Sequence, residues 1–344
     1  MTLAKLKNTY LSLLLLGLSL TPSMAATFKI ATVAPEGSGW IREMRAGAEA
    51  IKKQTDGRVE IKYFPGGVMG SDATVLRKIK LGQLQGGAFT AAELSSVYPD
   101  AQILCLPFTF NNEDEIDYVR TQLDPIIKQG LEQREFVGLG ISGGGFAYLI
   151  SAHPIQSKKD LMTAKVWTPQ SDHVAIVTFE AGGVKPIPLP IADVYTALST
   201  GLVDTVGNTP AGTLIFQWHT RLKHMVDLPL TYTVGYLVVD KKVFDKLDAN
   251  DQAIMRQEMD GVFKRINQMN RTDNAAAKQA LSKQGITIMA PEASEREIWN
   301  QVGETARNRL QQEGAFTAET WTKLVTARDA YRSKQVTSAQ EKTE

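Results

Sequence analysis

The chain has 344 residues, of which 43% are hydrophobic and 22% charged, enough to bury a large core across roughly two domains. Lys and Arg number 38 against 37 Asp and Glu. The resulting net charge of +1 offers no basic excess for a phosphate backbone and argues against nucleic acid as a partner.

Residues 1–25 read as a secretory leader, with Lys5 and Lys7 as the charged start, Leu11 to Leu20 as the apolar run and Ser23-Met24-Ala25 as the small-residue exit. Kept as an anchor, the run would supply about ten apolar residues where ~20 are needed to span a bilayer. Cleavage near Ala25 and export to the periplasm are the expectation. The single cysteine, Cys105, sits in Ile103-Leu104-Cys105-Leu106-Pro107-Phe108 and cannot form an internal disulfide. Stability must come from the core. Its apolar neighbours make Cys105 small core filler, with a reactive thiol as the sharper alternative.

The mature chain opens with an alternating strand, Thr27 to Val33. A helix follows, N-capped by Ser38, with Trp40, Ile41, Met44, Ala48 and Ile51 on one face. Arg58 to Tyr63 is a second strand, Ser71 caps a helix carrying Val75, Leu76 and Ile79, and Gln85 to Thr90 is a short buried strand. This β-α-β-α-β order predicts a mostly parallel sheet with ligand chemistry beyond the carboxyl ends of its strands. A helix over Glu113 to Gly130 precedes strands at Glu135 to Ile141 and Phe146 to Ser151. Alternation then resumes: strands at Lys165 to Thr168, Lys185 to Pro188 and Val203 to Val206, and helices at Ser171 to Ala181 and Ile191 to Thr200.

From Ala249 to Lys283 one proline-free helix is expected. At ~1.5 Å per residue it would run ~50 Å, long enough to brace two domains. Helices at Glu292 to Gln312 and Thr317 to Arg332 and a polar tail over 333–344 complete the chain. The fold class is therefore two-domain α/β with mostly parallel sheets, bridged by strands and the long helix. Residues 26–147 with 235–270 form the first domain, and 148–234 with 271–332 the second.

Two motifs overlap at one place. Gly138-Leu139-Gly140-Ile141-Ser142-Gly143 fits the dinucleotide pattern G-x-G-x-x-G, and Gly140-Ile141-Ser142-Gly143-Gly144 fits the nucleophile elbow G-x-S-x-G, with Asp172 and His219 in triad order. Both motifs need a helix next, and Gly144 to Ile150 reads as extended. A glycine-rich hinge is the reading that remains. The four histidines, His153, His173, His219 and His224, show no helical zinc spacing, so no metal is expected. Aromatic residues near predicted strand ends are the better signal for a ligand: Trp40, Phe89, Phe146, Trp167, Phe216 and Tyr236 are candidate walls.

The order of segments resembles the extracytoplasmic solute receptors of tripartite ATP-independent periplasmic (TRAP) transporters, in the dicarboxylate-receptor branch. The likeness rests on Pro65-Gly66-Gly67-Val68-Met69-Gly70, Leu106-Pro107-Phe108, Ala192-Asp193-Val194-Tyr195-Thr196-Ala197-Leu198 with Gly201-Leu202-Val203-Asp204, Asn208, and Val239-Asp240-Lys241-Lys242-Val243. It implies two domains closing over one small molecule, no cofactor and no catalysis. It also implies delivery to a permease of small and large integral membrane subunits. In that family the middle of the strand matching Lys165-Val166-Trp167-Thr168-Pro169 usually carries an arginine that clamps the ligand carboxylate, and here it is Trp167. Asn208 matches a position where the family often has an amide reaching the ligand, which the resemblance makes a polar contact. Three readings follow: a receptor for an apolar or aromatic ligand; a receptor for an organic acid using another cation such as Arg42, Lys185 or Arg221; or a periplasmic enzyme. Trp167 either faces the ligand or turns into the second domain's core.

Overall fold

The computed structural model describes residues 25–340. Apart from Ala25, the expected leader lies outside them. Among the described residues, no helix is long and apolar enough to cross a membrane. The strands are β1 (Ala26–Thr32), β2 (Val59–Phe64), β3 (Gly86–Thr90), β4 (Phe136–Ser151), β5 (Val166–Pro169), β6 (Ile187–Leu189), β7 (Thr205–Asn208), β8 (His224–Val226), β9 (Thr231–Asp240) and β10 (Thr287–Met289).

They follow the order β2-β1-β3-β9-β4-β7-β5-β6, with β8 pairing β4 and β10. Within each domain the helix-linked strands pair in parallel: β1 with β2 and β3 in the first, β5 with β6 and β7 in the second. The two crossing strands, β4 and β9, run antiparallel to one another and join the sheets. The expected class holds: two α/β domains bridged by strands.

Local chemistry explains the elements that frame the cleft. Ser38 accepts the Ile41 amide at 3.4 Å and starts helix Gly39–Gln54, whose Ile41, Met44, Ala48 and Ile51 are buried at helical spacing. Asp248 caps the long helix Ala249–Lys283 by accepting the Asp251 amide at 2.8 Å. That helix buries Met255, Met259, Val262, Phe263 and Ile266 in the first domain's core and reaches Leu281 in the second's.

Between these stretches its stripe turns polar, because the strand beside it lacks a complete ladder. β4 bulges against β9 between Gly138 and Gly140 and again between Gly143 and Gly145. The released backbone groups are met from the long helix. Asn267 Oδ1 accepts the Gly143 amide at 2.7 Å, Asn270 Nδ2 donates to Gly143 O at 2.8 Å, and Asn274 Nδ2 donates to Gly144 O at 2.7 Å.

At Gly140 the strand approaches the helix so closely that a Cβ would stand 2.1 Å from the Phe263 ring. Gly140→Ala is expected to lower stability by about 1–3 kcal/mol through overpacking, seen as a reduced urea midpoint. An unchanged midpoint would show that the contact is loose.

Two expectations are corrected. The strands placed at Glu135 to Ile141 and Phe146 to Ser151 are one strand, because the glycines between them stay paired to β9 through the bulges. The last helix is Ala318–Gln340, running past Arg332 into the stretch read as a polar tail. It lies on helix Glu113–Glu132 in the first domain, where Arg332 Nε donates to the buried Glu115 at 2.5 Å and Tyr331 meets Tyr118 at 5.6 Å.

Candidate functional site

Four parallel strands deliver their carboxyl ends to one place: Thr32 of β1, Thr90 of β3, Pro169 of β5 and Asn208 of β7 all border a cavity of about 300 Å³ between the domains. This is where an open α/β sheet presents a ligand site. The crossing strands add Ser142 and Tyr232 to Tyr236, and the long helix adds Phe263, Ile266 and Asn270.

Of the residues proposed from sequence, Trp40, Phe89, Trp167, Asn208, Phe216 and Tyr236 line this cavity. Phe146 does not. It packs edge-on against Tyr232, ring centroids 5.2 Å apart, and borders a separate pocket with Tyr148, Arg271 and Lys278. Strand alternation explains the difference. Ser142 and Gly144 face the cavity, and strict alternation would add residue 146, but the bulge at Gly145 (φ +100°) passes the inward position to Ala147.

Trp167 belongs both to the wall and to the core. Only 3% exposed, it stands edge-on to Trp218 at 5.2 Å, and Phe216 stacks on Trp218 at 5.4 Å. Its indole Nε1 donates to Leu189 O at 3.0 Å. An indole has one donor, so this bond leaves only its carbon surface for the cavity. Tyr236 is tied likewise, its hydroxyl donating to Ala101 O at 2.7 Å, and Trp40 Nε1 donates to Asn270 Oδ1 at 2.6 Å.

The charge balance of the lining is one-sided. Among the described residues that border the cavity there is no lysine, arginine or histidine, and the only carboxylate is Asp172. The three alternative cations lie elsewhere. Arg42 donates to Gly37 O at 2.6 Å, Arg221 sits 5.5 Å over the Tyr195 ring, and Lys185 is exposed outside the lining.

Sequence reading missed Thr168 and overlooked Asp172 as a cavity residue. Thr168 Oγ1 and Asn208 Nδ2 are buried, border the cavity and have no partner in the structure, while Asn208 Oδ1 accepts the Thr209 amide at 2.8 Å. A buried donor costs ~1–3 kcal/mol when left unpaired, so these two groups leave hydrogen-bonding capacity open at the cavity wall. A signal was present for Thr168, which follows Trp167 at a strand's carboxyl end. None marked Asp172, whose partner Gln102 lies 70 residues away in sequence.

The glycine motifs lie within one continuous strand. Ser142 lies inside β4, which continues to Ser151 with no helix after the serine, and its Oγ bonds Gly235 O at 3.4 Å. His219, which does not border the cavity, bonds Thr213 O. Burial, with Asp172 nearby, pushes the Cys105 thiol well above its usual range and disfavours the reactive thiolate. Among the described residues, no three His, Cys, Asp or Glu side chains gather as a metal site requires.

Near Asp172 the acids hold their protons unusually well. Burial raises Asp172 and Glu93, and it pushes Asp72, beside Glu93, up to about 7. Between pH 4 and 7 the native state thus keeps a proton on Asp72 that the unfolded chain releases, so stability falls as pH rises through that window. Asp72→Asn is expected to stabilise the protein at pH 8, by at most about 4 kcal/mol, and to flatten the change in denaturation midpoint between pH 8 and 5.5. A variant that melts like the parent at both pH values would show that Asp72 titrates normally.

A family model described as bacterial extracellular solute-binding protein, family 7, matches residues 30–313. The C4-dicarboxylate-binding periplasmic protein DctP of Rhodobacter capsulatus is 25% identical over 257 residues, covering 74% of this chain and 77% of its own. A TRAP periplasmic solute-binding protein of Ochrobactrum anthropi superposes with a TM-score of 0.78 at 26% identity, covering 91% and 97% of the two chains. The sugar acid binding protein DctPAm of Advenella mimigardefordensis, solved with galactonate, superposes with a TM-score of 0.82 at 21% identity, covering 89% and 98%.

Proposed function

Because the chain belongs to the family 7 bacterial extracellular solute-binding proteins, the receptors of TRAP transporters, we propose that it captures a small molecule whose buried end is uncharged and largely apolar or aromatic. One observation carries this reading: among the described residues that border the cavity there is no lysine, arginine or histidine, and Trp167, at the strand position that the resemblance gives to a clamping arginine, has its only donor already bonded to Leu189. A carboxylate facing that ring would lose its water without gaining a counter-charge. A flat or apolar group stacked on it gains ~0.5–1.5 kcal/mol beyond area burial.

Binding energy would favour the closed arrangement, with hinge strands near 143–151 and 230–236, and a permease of small and large membrane subunits would read the closed form in the periplasm. Receptor function needs no turnover, in keeping with a serine that has no elbow.

The relatives that bind C4-dicarboxylates and galactonate make an organic acid the competing ligand. Native mass spectrometry of protein purified from its own host, followed by fluorescence titration, separates the two. Co-purified or titrated ligands are expected to be aromatic or aliphatic compounds without a carboxylate, and succinate is expected not to bind. Tight binding of succinate or malate that survives Trp167→Phe would overturn the reading.

A further inference from the structure

Among the described residues that border the cavity, Asp172 is the only acid and there is no lysine, arginine or histidine, and its two oxygens have different occupations. Oδ1 accepts the Ala175 amide at 2.9 Å, capping helix His173–Ala181, and also accepts Gln102 Nε2 at 2.7 Å from the other domain. Among the described residues no hydrogen bond falls on Oδ2. Capping explains why an acid stands at this position, and one oxygen suffices for it. The second oxygen is left in a wall whose other members are mainly apolar.

The surroundings offer that carboxylate little positive charge. Glu93 lies against the adjoining Ser171, and Asp72 lies beyond Glu93. His173, the next residue along the chain, turns to Glu313 at 2.8 Å. An anionic ligand entering here meets an acid and, among the described residues that border the cavity, no lysine, arginine or histidine. An ammonium meets an oxygen left open by two fixed donors on the other and, by its own charge, favours the ionised carboxylate against the upward push of burial. Since Gln102 reaches Asp172 across the cleft, the same carboxylate that borders the cavity also ties the domains together.

Resting on the reading of this cavity as the ligand site, we propose that Asp172 determines specificity by taking the ligand's amine on Oδ2, so that the ligand class is an apolar or aromatic amine. Its ring or chain lies against Trp167, Phe216 and Phe89, and its ammonium points to the acid. A neutral hydroxyl could donate one hydrogen bond there, but it brings no positive charge to pair with the acid.

The test is a titration of the intact mature protein with three compounds of one shape: 2-phenylethylamine, 2-phenylethanol and phenylacetate. The amine is expected to bind at least tenfold more tightly than the alcohol, and phenylacetate most weakly. Asp172→Asn keeps an oxygen for the cap and is expected to bring the amine down to the alcohol's affinity. The wild-type series is decisive even if that variant folds poorly. If the alcohol equals the amine, if the amine preference persists in the variant, or if none of the three binds, the amine assignment is overturned. Binding of the alcohol without the amine would remove this assignment alone. Tightest binding of phenylacetate would overturn the cation-free reading of the site as well.

Discussion

Replacing Arg120 with alanine is expected to destabilise the protein by about 3–5 kcal/mol, because the change strands a half-buried carboxylate. Arg120, 7% exposed on helix Glu113–Glu132, donates from Nη2 to Asp124 Oδ2 at 2.9 Å and to Ile141 O at 2.8 Å, and from Nε to Asp124 at 3.2 Å. Burial already drives the Asp124 carboxyl upward against the pull of that guanidinium. Without the arginine, Asp124 must protonate or draw in water, and the Ile141 carbonyl loses its donor beside the bulged part of β4. Paired replacement, Arg120→Met with Asp124→Leu, is expected to recover most of the loss, since removing both charges abolishes the mismatch. Chemical denaturation of the single and double variants measures both. A single-variant loss below about 1 kcal/mol would place the pair among exposed ion pairs.

Trp167 carries the second large effect. Trp167→Ala is expected to cost about 3–5 kcal/mol in stability, since the ring is buried against Trp218, and to abolish ligand binding with it. Trp167→Phe keeps an aromatic face but leaves Leu189 O without its donor, a loss of about 1–3 kcal/mol. Binding by the Phe variant is expected to stay within tenfold of the parent. Thermal melts and fluorescence titration of the two variants separate the roles. An Ala variant that folds stably and binds as before would show that Trp167 belongs to the core alone.

Local signals in the sequence were read well where the determinants are local. Helix Ala249–Lys283 is found at its expected limits, because Asp248 caps one end and Gly285 follows the other. The parallel strands were legible from short apolar runs between capped helices. Six of seven site residues lie around one cavity because ligands meet such sheets at strand ends, a rule of topology that needs no coordinates.

The misreadings share a different cause. Phe146 turned away because a single extra residue at Gly145 inverts every later side chain, and a bulge depends on the partner strand. The final helix joined the first domain through Arg332 and Glu115, residues 217 apart. Asp172 stood out only by its place in triad order until Gln102 and a lining without lysine, arginine or histidine among the described residues defined its setting.

The order of strands has a consequence for synthesis. In the first domain's sheet, β9 lies between β3 and β4, so a nascent chain that has emerged as far as Ser151 still lacks the strand that joins them. That strand ends at Asp240, 150 residues after Thr90 closes β3, and the second domain's β8 and β10 pair only once residue 289 is available. Neither half can complete its hydrogen bonding early, and pairings this distant are slow to close. Until Asp240 for the first half and residue 289 for the second have been made, therefore, each half of the molecule carries an unpaired sheet edge that only a later part of the same chain can fill.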